Sequence, residues 1–193
     1  MVDRSSPDAV SKRQHPCAGE GIGGQLIGIA RREKHRAPME RLESGTISEA
    51  AGLEGDYRGR KYSRRQITVL AIEDWTAAIA ALVDQAGGSI EDSGPNLRDF
   101  DWTERRANLL VMGLLLPGGR GSLLQIGEVL LEVTGETTPC ARMDEVSPGL
   151  RRALASGRRG GVTCRVITGG GVALGDPADV ALSLQDPVRR LPG

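Results

Sequence analysis

A chain of 193 residues, 39% of them apolar, is long enough to bury one sizeable core, whereas two domains would leave each half marginal. Its 25 basic and 25 acidic residues cancel, so it lacks the net charge expected of a nucleic-acid or anionic-membrane binder. Aromatics make up only 3%, which leaves the core to Val, Leu, Ile and Ala, and 27 glycines signal frequent turns; strands are favoured over a helical bundle.

Residues 1–24 are polar, aperiodic and Gly/Pro-bearing, and read as a mobile tail that holds His15 and Cys17. The segment lacks an apolar leader, and no later run is long enough to span a bilayer, so a cytoplasmic protein without membrane association is expected. QLIGIA, from Gln25, is the first strand. The next stretch, to about Arg65, is dense in charge and glycine and reads as a long irregular excursion with at most one short helical turn around Ile47 to Ala51. QITVLAI (Gln66 to Ile72) has the β-branched content of a strand. Trp75, Ile79, Leu82, Val83 and Ala86 then recur at helical spacing, which predicts a helix over Glu73 to Gln85 stopped by Gly87-Gly88.

The second half alternates as strands do. In EVLLEVT, Val129, Leu131 and Val133 share a face, and in VTCRVI so do Val162, Cys164 and Val166, which makes Cys164 a core residue. GLRRALASG, from Gly149, is a short helix, and VAL and ADVALSL close the strand series. Short strands broken by glycine turns, with two helices at most, predict a mainly β (α+β) fold. It takes the form of a closed or nearly closed barrel with helices packed outside, one domain over 25–186 and a C-terminal tail over 187–193.

Three cysteines without CxxC spacing and two histidines argue against a structural zinc site or a disulfide framework. Cys140 differs from the other two. It follows Pro139 in TTPCARM and precedes Arg142 by two residues; a turn that exposes a cysteine beside a cation favours the thiolate, the form that binds metal and transfers sulfur. The basic residues are 22 arginines against three lysines, and arginine is the better fork for phosphate and carboxylate. Most of that excess has no site to serve: Arg151, Arg152 and Arg158 read as the wet side of the short helix.

The succession ERRANLLVMGL, LLQIGEVLLEVTGETTPCARM and GLRRALASGRRGGVTCRVITGGGVALGD resembles a MOSC domain over roughly Gln25 to Leu184. That module occurs at the C-terminus of molybdenum cofactor sulfurases, in mitochondrial amidoxime-reducing enzymes and in small stand-alone bacterial proteins. The most specific parts are Asn108-Leu109, Ile126-Gly127, Thr-Pro-Cys, Arg159-Gly160-Gly161-Val162 and Gly175-Asp176, in that order. GLEGDYRGR is similar to the family's Gly-Asp-x-His-Gly-Gly element at Gly55, Asp56 and Gly59, with Arg58 at the histidine position and Arg60 at the last glycine.

The resemblance implies a barrel and a site for molybdenum cofactor, a pterin dithiolene bearing a phosphate. Such a site needs a thiolate, donors for the phosphate and close backbone approach. Cys140 is the candidate metal ligand and catalytic thiol. Arg105, Arg106, Asn108, Arg142, Arg159, Gly160, Gly161 and Asp56 are the candidate cofactor-binding residues. Arg105 and Arg106, if on a strand, face opposite ways, so one of them serves the site; Asn108 suits a ladder role as well as a ligand contact, and Gly169 to Gly171 either an amide nest or a hairpin connection. Arg58 stays protonated and binds anions but is no ordinary general base.

Three functions follow. The first is a stand-alone protein that binds molybdenum cofactor, or a related anionic sulfur compound, or carries sulfur as a Cys140 persulfide for a sulfurtransferase reaction. The second is an oxidoreductase, a molybdenum-dependent reductase of N-hydroxylated compounds. The third is a non-catalytic anion-binding barrel. None of the three lysines has a Schiff-base setting, so no pyridoxal phosphate is expected in the chain and a sulfur donor would be a separate protein. With no flavin, haem or iron–sulfur motif, so would an electron donor.

Overall fold

The described residues of this computed structural model, 23–85 and 100–184, hold eleven strands and three α-helices. The strands are β1 (Gly24–Arg31), β2 (Glu40–Leu42), β3 (Ser44–Ser48), β4 (Gly52–Leu53), β5 (Ile67–Ala71), β6 (Leu109–Met112), β7 (Leu123–Ile126), β8 (Val129–Glu136), β9 (Val162–Thr168), β10 (Gly170–Ala173) and β11 (Pro177–Leu182). The helices are α1 (Ile72–Gln85), α2 (Arg142–Val146) and α3 (Leu150–Ala155). The two tails and the residues expected to stop α1 lie outside the described residues.

Seven strands close on themselves in the order β11-β7-β8-β9-β5-β6-β1, because the start of β1 pairs with β11 (Gly24↔Ala178) while its later residues pair with β6 (Ile29↔Leu109). Closure removes the exposed edges that an open sheet of this size would carry. β2 adds an outer strand on β1. All these ladders are antiparallel except β5–β6, and a parallel pair needs a crossover, which α1 supplies.

The unbroken apolar run of β5 follows from burial on both faces. Ile67, Val69 and Ala71 fill the barrel interior with Leu26, Leu109, Leu131, Val133 and Cys164. Leu70 points outward and packs with Trp75, Ile79 and Leu82 of α1 and Leu150 and Leu154 of α3 in a second core. In β1 a bulge between Leu26 and Gly28 shifts the phase, and Gly28 is needed where Trp102 lies on the strand: a Cβ there would meet the indole at 2.7 Å.

Three expectations change. The excursion after β1 is not irregular throughout, because β3 pairs with β4 on one side and β10 on the other in a separate sheet that adds Ile47, Leu53 and Val172 to the interior core. Its strands are only two to five residues long, too short for alternation to register. Gly170 and Gly171 belong to β10, which pairs with β3 rather than returning on β9, so they form neither hairpin nor nest. A third helix, α2, follows Cys140; its five residues are anchored by Met143, 1% exposed.

Candidate functional site

The Thr137–Cys140 stretch leaves β8 and is fixed by backbone on both sides. Thr137 donates its N–H to the Gly161 carbonyl (2.9 Å), and its own carbonyl accepts from Arg105 Nη2 (2.8 Å). Gly160 and Gly161 make this closeness feasible: a Cβ on Gly160 would lie 2.2 Å from the Thr137 oxygen, and one on Gly161, at φ +80°, 2.4 Å from the Val69 oxygen. After the turn the Met143 N–H returns to the Cys140 carbonyl (3.0 Å). Thr137 and Pro139 are buried, whereas Cys140 is exposed.

Arg105 reaches this turn from a 3-10 segment, Trp102–Arg105, capped by Asp101, which accepts from the Thr103 N–H (2.8 Å). Arg106 follows in a left-handed conformation (φ 63°), so the pair is not on a strand and does not alternate across one. Arg106 donates to the Ala37 carbonyl (2.9 Å). Arg58 is brought in by Asp56, a buried carboxylate that accepts from the backbone N–H groups of Arg32 (3.0 Å) and Arg58 (2.9 Å) and so clamps the loop after β4 to the end of β1. The Tyr57 N–H completes the clamp on the Arg32 carbonyl (2.8 Å).

These side chains form one cationic basin. Burial pulls Arg105 down to about 10; the Cys140 charge acts against that shift, and Arg58 and Arg65 add to it. Arg106 falls to about 10 for the same first reason, with Arg32, Arg142 and Arg58 adding to the shift. Arg58 is lowered by burial and Arg65, against Asp56 and Cys140, and Arg32 by burial, Arg58 and Arg142, against Asp56. Six arginines thus act on one another, and the carboxylates that oppose them are Asp56 and Glu104. Crowding like charges where water is scarce is unfavourable unless an anion joins them.

Two polar atoms here are left over. Arg105 Nε and Thr137 Oγ1 are buried and have no hydrogen-bond partner. An orphaned buried donor costs about 1–3 kcal/mol, and such atoms mark places where a ligand completes the bonding. Among the described residues no three His, Cys, Asp or Glu side chains converge, which leaves Cys140 as the soft donor at the basin. A single protein thiolate suits a metal whose other sulfur ligands arrive with it.

Of the residues singled out in the sequence, Cys140, Arg105, Arg106 and Arg142 gather at the basin, and Gly160, Gly161 and Asp56 hold its walls. Asn108 stands apart: its carbonyl oxygen accepts from the Thr68 N–H (3.1 Å) and its amide donates to the Ala30 carbonyl (3.2 Å), so it joins β5, β6 and β1. Arg159 is not among the arginines whose charges act at the basin; its charge acts on Asp74 of α1, and its guanidinium lies beside Gly157. Sequence reading passed over Arg32, Arg65 and Thr137. Arg32 follows an apolar strand directly and is 6% exposed, and an arginine at that junction is the signal that was available.

A family model described as "MOSC domain" matches residues 56–179, well over half of the chain. The fold is similar to that of the YUAD protein from Bacillus subtilis, with 20% identity and a TM-score of 0.62 over 81% of this chain and 94% of that one. It is also similar to YiiM from Escherichia coli (16%, 0.59, 84% and 72%) and to YiiM from Geobacillus stearothermophilus (15%, 0.58, 82% and 75%). No curated protein matches significantly. At these identities the solved structures speak for the fold alone, and the match to the family model carries the assignment: the chain belongs to the MOSC domain family, a family linked to molybdenum cofactor binding.

Proposed function

We propose that this protein binds molybdenum cofactor, or a related anionic sulfur compound, in the arginine basin, with Cys140 as the protein's thiolate. The observation that carries the proposal is the exposed thiol whose charge acts on two buried or half-buried arginines, Arg105 and Arg58, together with the unpartnered Arg105 Nε and Thr137 Oγ1. The residues present fit such a group: Cys140 offers the metal a soft ligand, and Arg105, Arg106, Arg142, Arg58 and Arg32 offer a phosphate its counter-charge. The cofactor supplies redox and sulfur-transfer chemistry at its metal when bound. The chain's own part is to fix the thiol on the Thr-Pro-Cys turn, orient the anion and exclude competing ligands.

A sulfur-carrier role uses the same thiol. The Cys140 thiolate attacks the outer sulfur of a persulfide on a separate donor protein; a new S–S bond forms on Cys140, the donor's S–S bond breaks, and the donor thiolate leaves with the bonding electrons. The reverse exchange passes the sulfur on. The reductase reading is weaker at Arg58, whose guanidinium remains charged at working pH and holds an anion rather than shuttling a proton. Purifying the protein from a host replete in the cofactor and measuring molybdenum and cyanolysable sulfur in the same sample tests the proposal. Metal, sulfur or both in amounts near the protein concentration is expected; neither, in a sample with an unreactive Cys140, would leave a non-catalytic anion-binding barrel.

A further inference from the structure

Behind the Thr-Pro-Cys turn runs a second groove, of about 320 Å3, lined by Arg64, Arg65, Arg120, Thr134, Thr138 and Thr163, together with Gly135 and Glu136. Its floor is the β8–β9 ladder at a register shift between Val133 and Gly135. Thr163 Oγ1 donates to the Gly135 carbonyl (3.0 Å), and Thr134 Oγ1 lies 3.2 Å from it and also bonds the Arg64 carbonyl, so the floor ties down the loop that carries Arg64 and Arg65. On the opposite wall the Arg120 guanidinium lies over Gly135, where a Cβ would stand 3.7 Å from Arg120 Nε.

The charged residues that line this groove are three arginines and one carboxylate. The two carboxylates on its ladder are already neutralised, Glu136 by Arg158 and Glu132 by Arg165 (Nε–Oε2 2.8 Å). Among the described residues no carboxylate is paired with Arg64 or Arg65. Three arginines from two segments therefore face one concave surface, with the exposed Thr138 hydroxyl at its edge. Several forked donors lining one groove suit a tetrahedral dianion better than a carboxylate, which a single arginine satisfies.

We infer that this groove is a second anion site, for a phosphate-class dianion, separated from the Cys140 basin by the Thr-Pro-Cys turn. Arg65 belongs to both surfaces, since its charge also acts on Arg58 and Arg105. The phosphate is either free or one phosphoryl group of a larger ligand, and the site does not depend on what Cys140 carries. Calorimetric titration of the full chain with inorganic phosphate tests it, using wild type, the Arg64→Gln/Arg120→Gln double variant and Cys140→Ala, each with a melting curve. One saturable phosphate in this groove is expected besides any that the basin takes, weakened at least about tenfold in the double variant by the loss of charge-assisted bonds and unchanged in Cys140→Ala. No saturable binding, equal binding by a folded double variant, or equal weakening by Cys140→Ala would overturn it. Repeating the titration on molybdenum-loaded protein separates the two sources: unchanged binding means free phosphate, and blocked binding means a phosphoryl group of the loaded ligand. Failure of molybdenum loading would refute the cofactor reading and leave the phosphate result standing.

Discussion

The barrel interior and the basin around Cys140 share strands but are filled in opposite ways. Inside, Leu26, Ile29, Val69, Leu109, Leu131 and Cys164 are enclosed together, and burial pushes the Cys164 thiol far up, with Glu132 adding to the shift. In the basin, arginines from four separate segments act on one another beside an exposed thiol, and Asp56, the one buried carboxylate among the described residues, has both oxygens on backbone N–H groups. The same side chain is thus an apolar filler in one place and, under the proposed function, a nucleophile or ligand in the other. What separates the two is the surroundings that the turn after β8 and the strand face of β9 provide.

The largest expected effect is on thiol reactivity. In the folded protein a small haloacetamide should modify Cys140 at least about 1,000-fold faster than Cys164, whose exposure requires local or global opening. Mass-spectrometric mapping that found Cys164 modified first, or at an equal rate, would erase the distinction between the two regions.

A smaller effect is expected where the two regions meet. Gly161→Ala pushes a methyl group to 2.4 Å from the Val69 carbonyl at a positive φ and should cost about 3 kcal/mol, whereas Gly171→Ala, with nothing within 4 Å, should be within about 0.5 kcal/mol of wild type. Urea denaturation compares them directly, and equal midpoints would remove the argument that Gly161 sets the closeness of the turn. Asp56→Ala comes next, at about 1–3 kcal/mol, because two backbone N–H groups lose their acceptor. If its midpoint matched wild type, Asp56 would not be holding Arg32 and Arg58 in place.

The barrel was legible in the sequence to the extent that its strands alternate or run apolar for five residues or more: β1, β5, β8, β9, β11 and α1 fall where periodicity put them. β2, β3 and β4 escaped because two to five residues do not display a period, and the pairing of β3 with β10 is a long-range fact. At the site, the Thr-Pro-Cys turn and the Arg105–Arg106 pair were readable as local motifs. Their geometry was not, since a 3-10 turn and a left-handed Arg106 aim two adjacent side chains in a way no strand would. Arg32 and Arg65 were lost among 22 arginines: burial picks out Arg32, and charge acting on other arginines picks out both.

The central claim is that Cys140 is the thiolate on which molybdenum or transferable sulfur is held. The most direct measurement loads wild type and Cys140→Ala in parallel, determines bound molybdenum and cyanolysable sulfur, and records a melting curve for each. Truncating an exposed thiol should change stability by no more than about 1 kcal/mol, so both proteins should melt alike. Wild type should load and the variant should not, because alanine supplies no bond to metal or sulfur. A folded Cys140→Ala protein that retains both metal and sulfur at wild-type levels would contradict the claim.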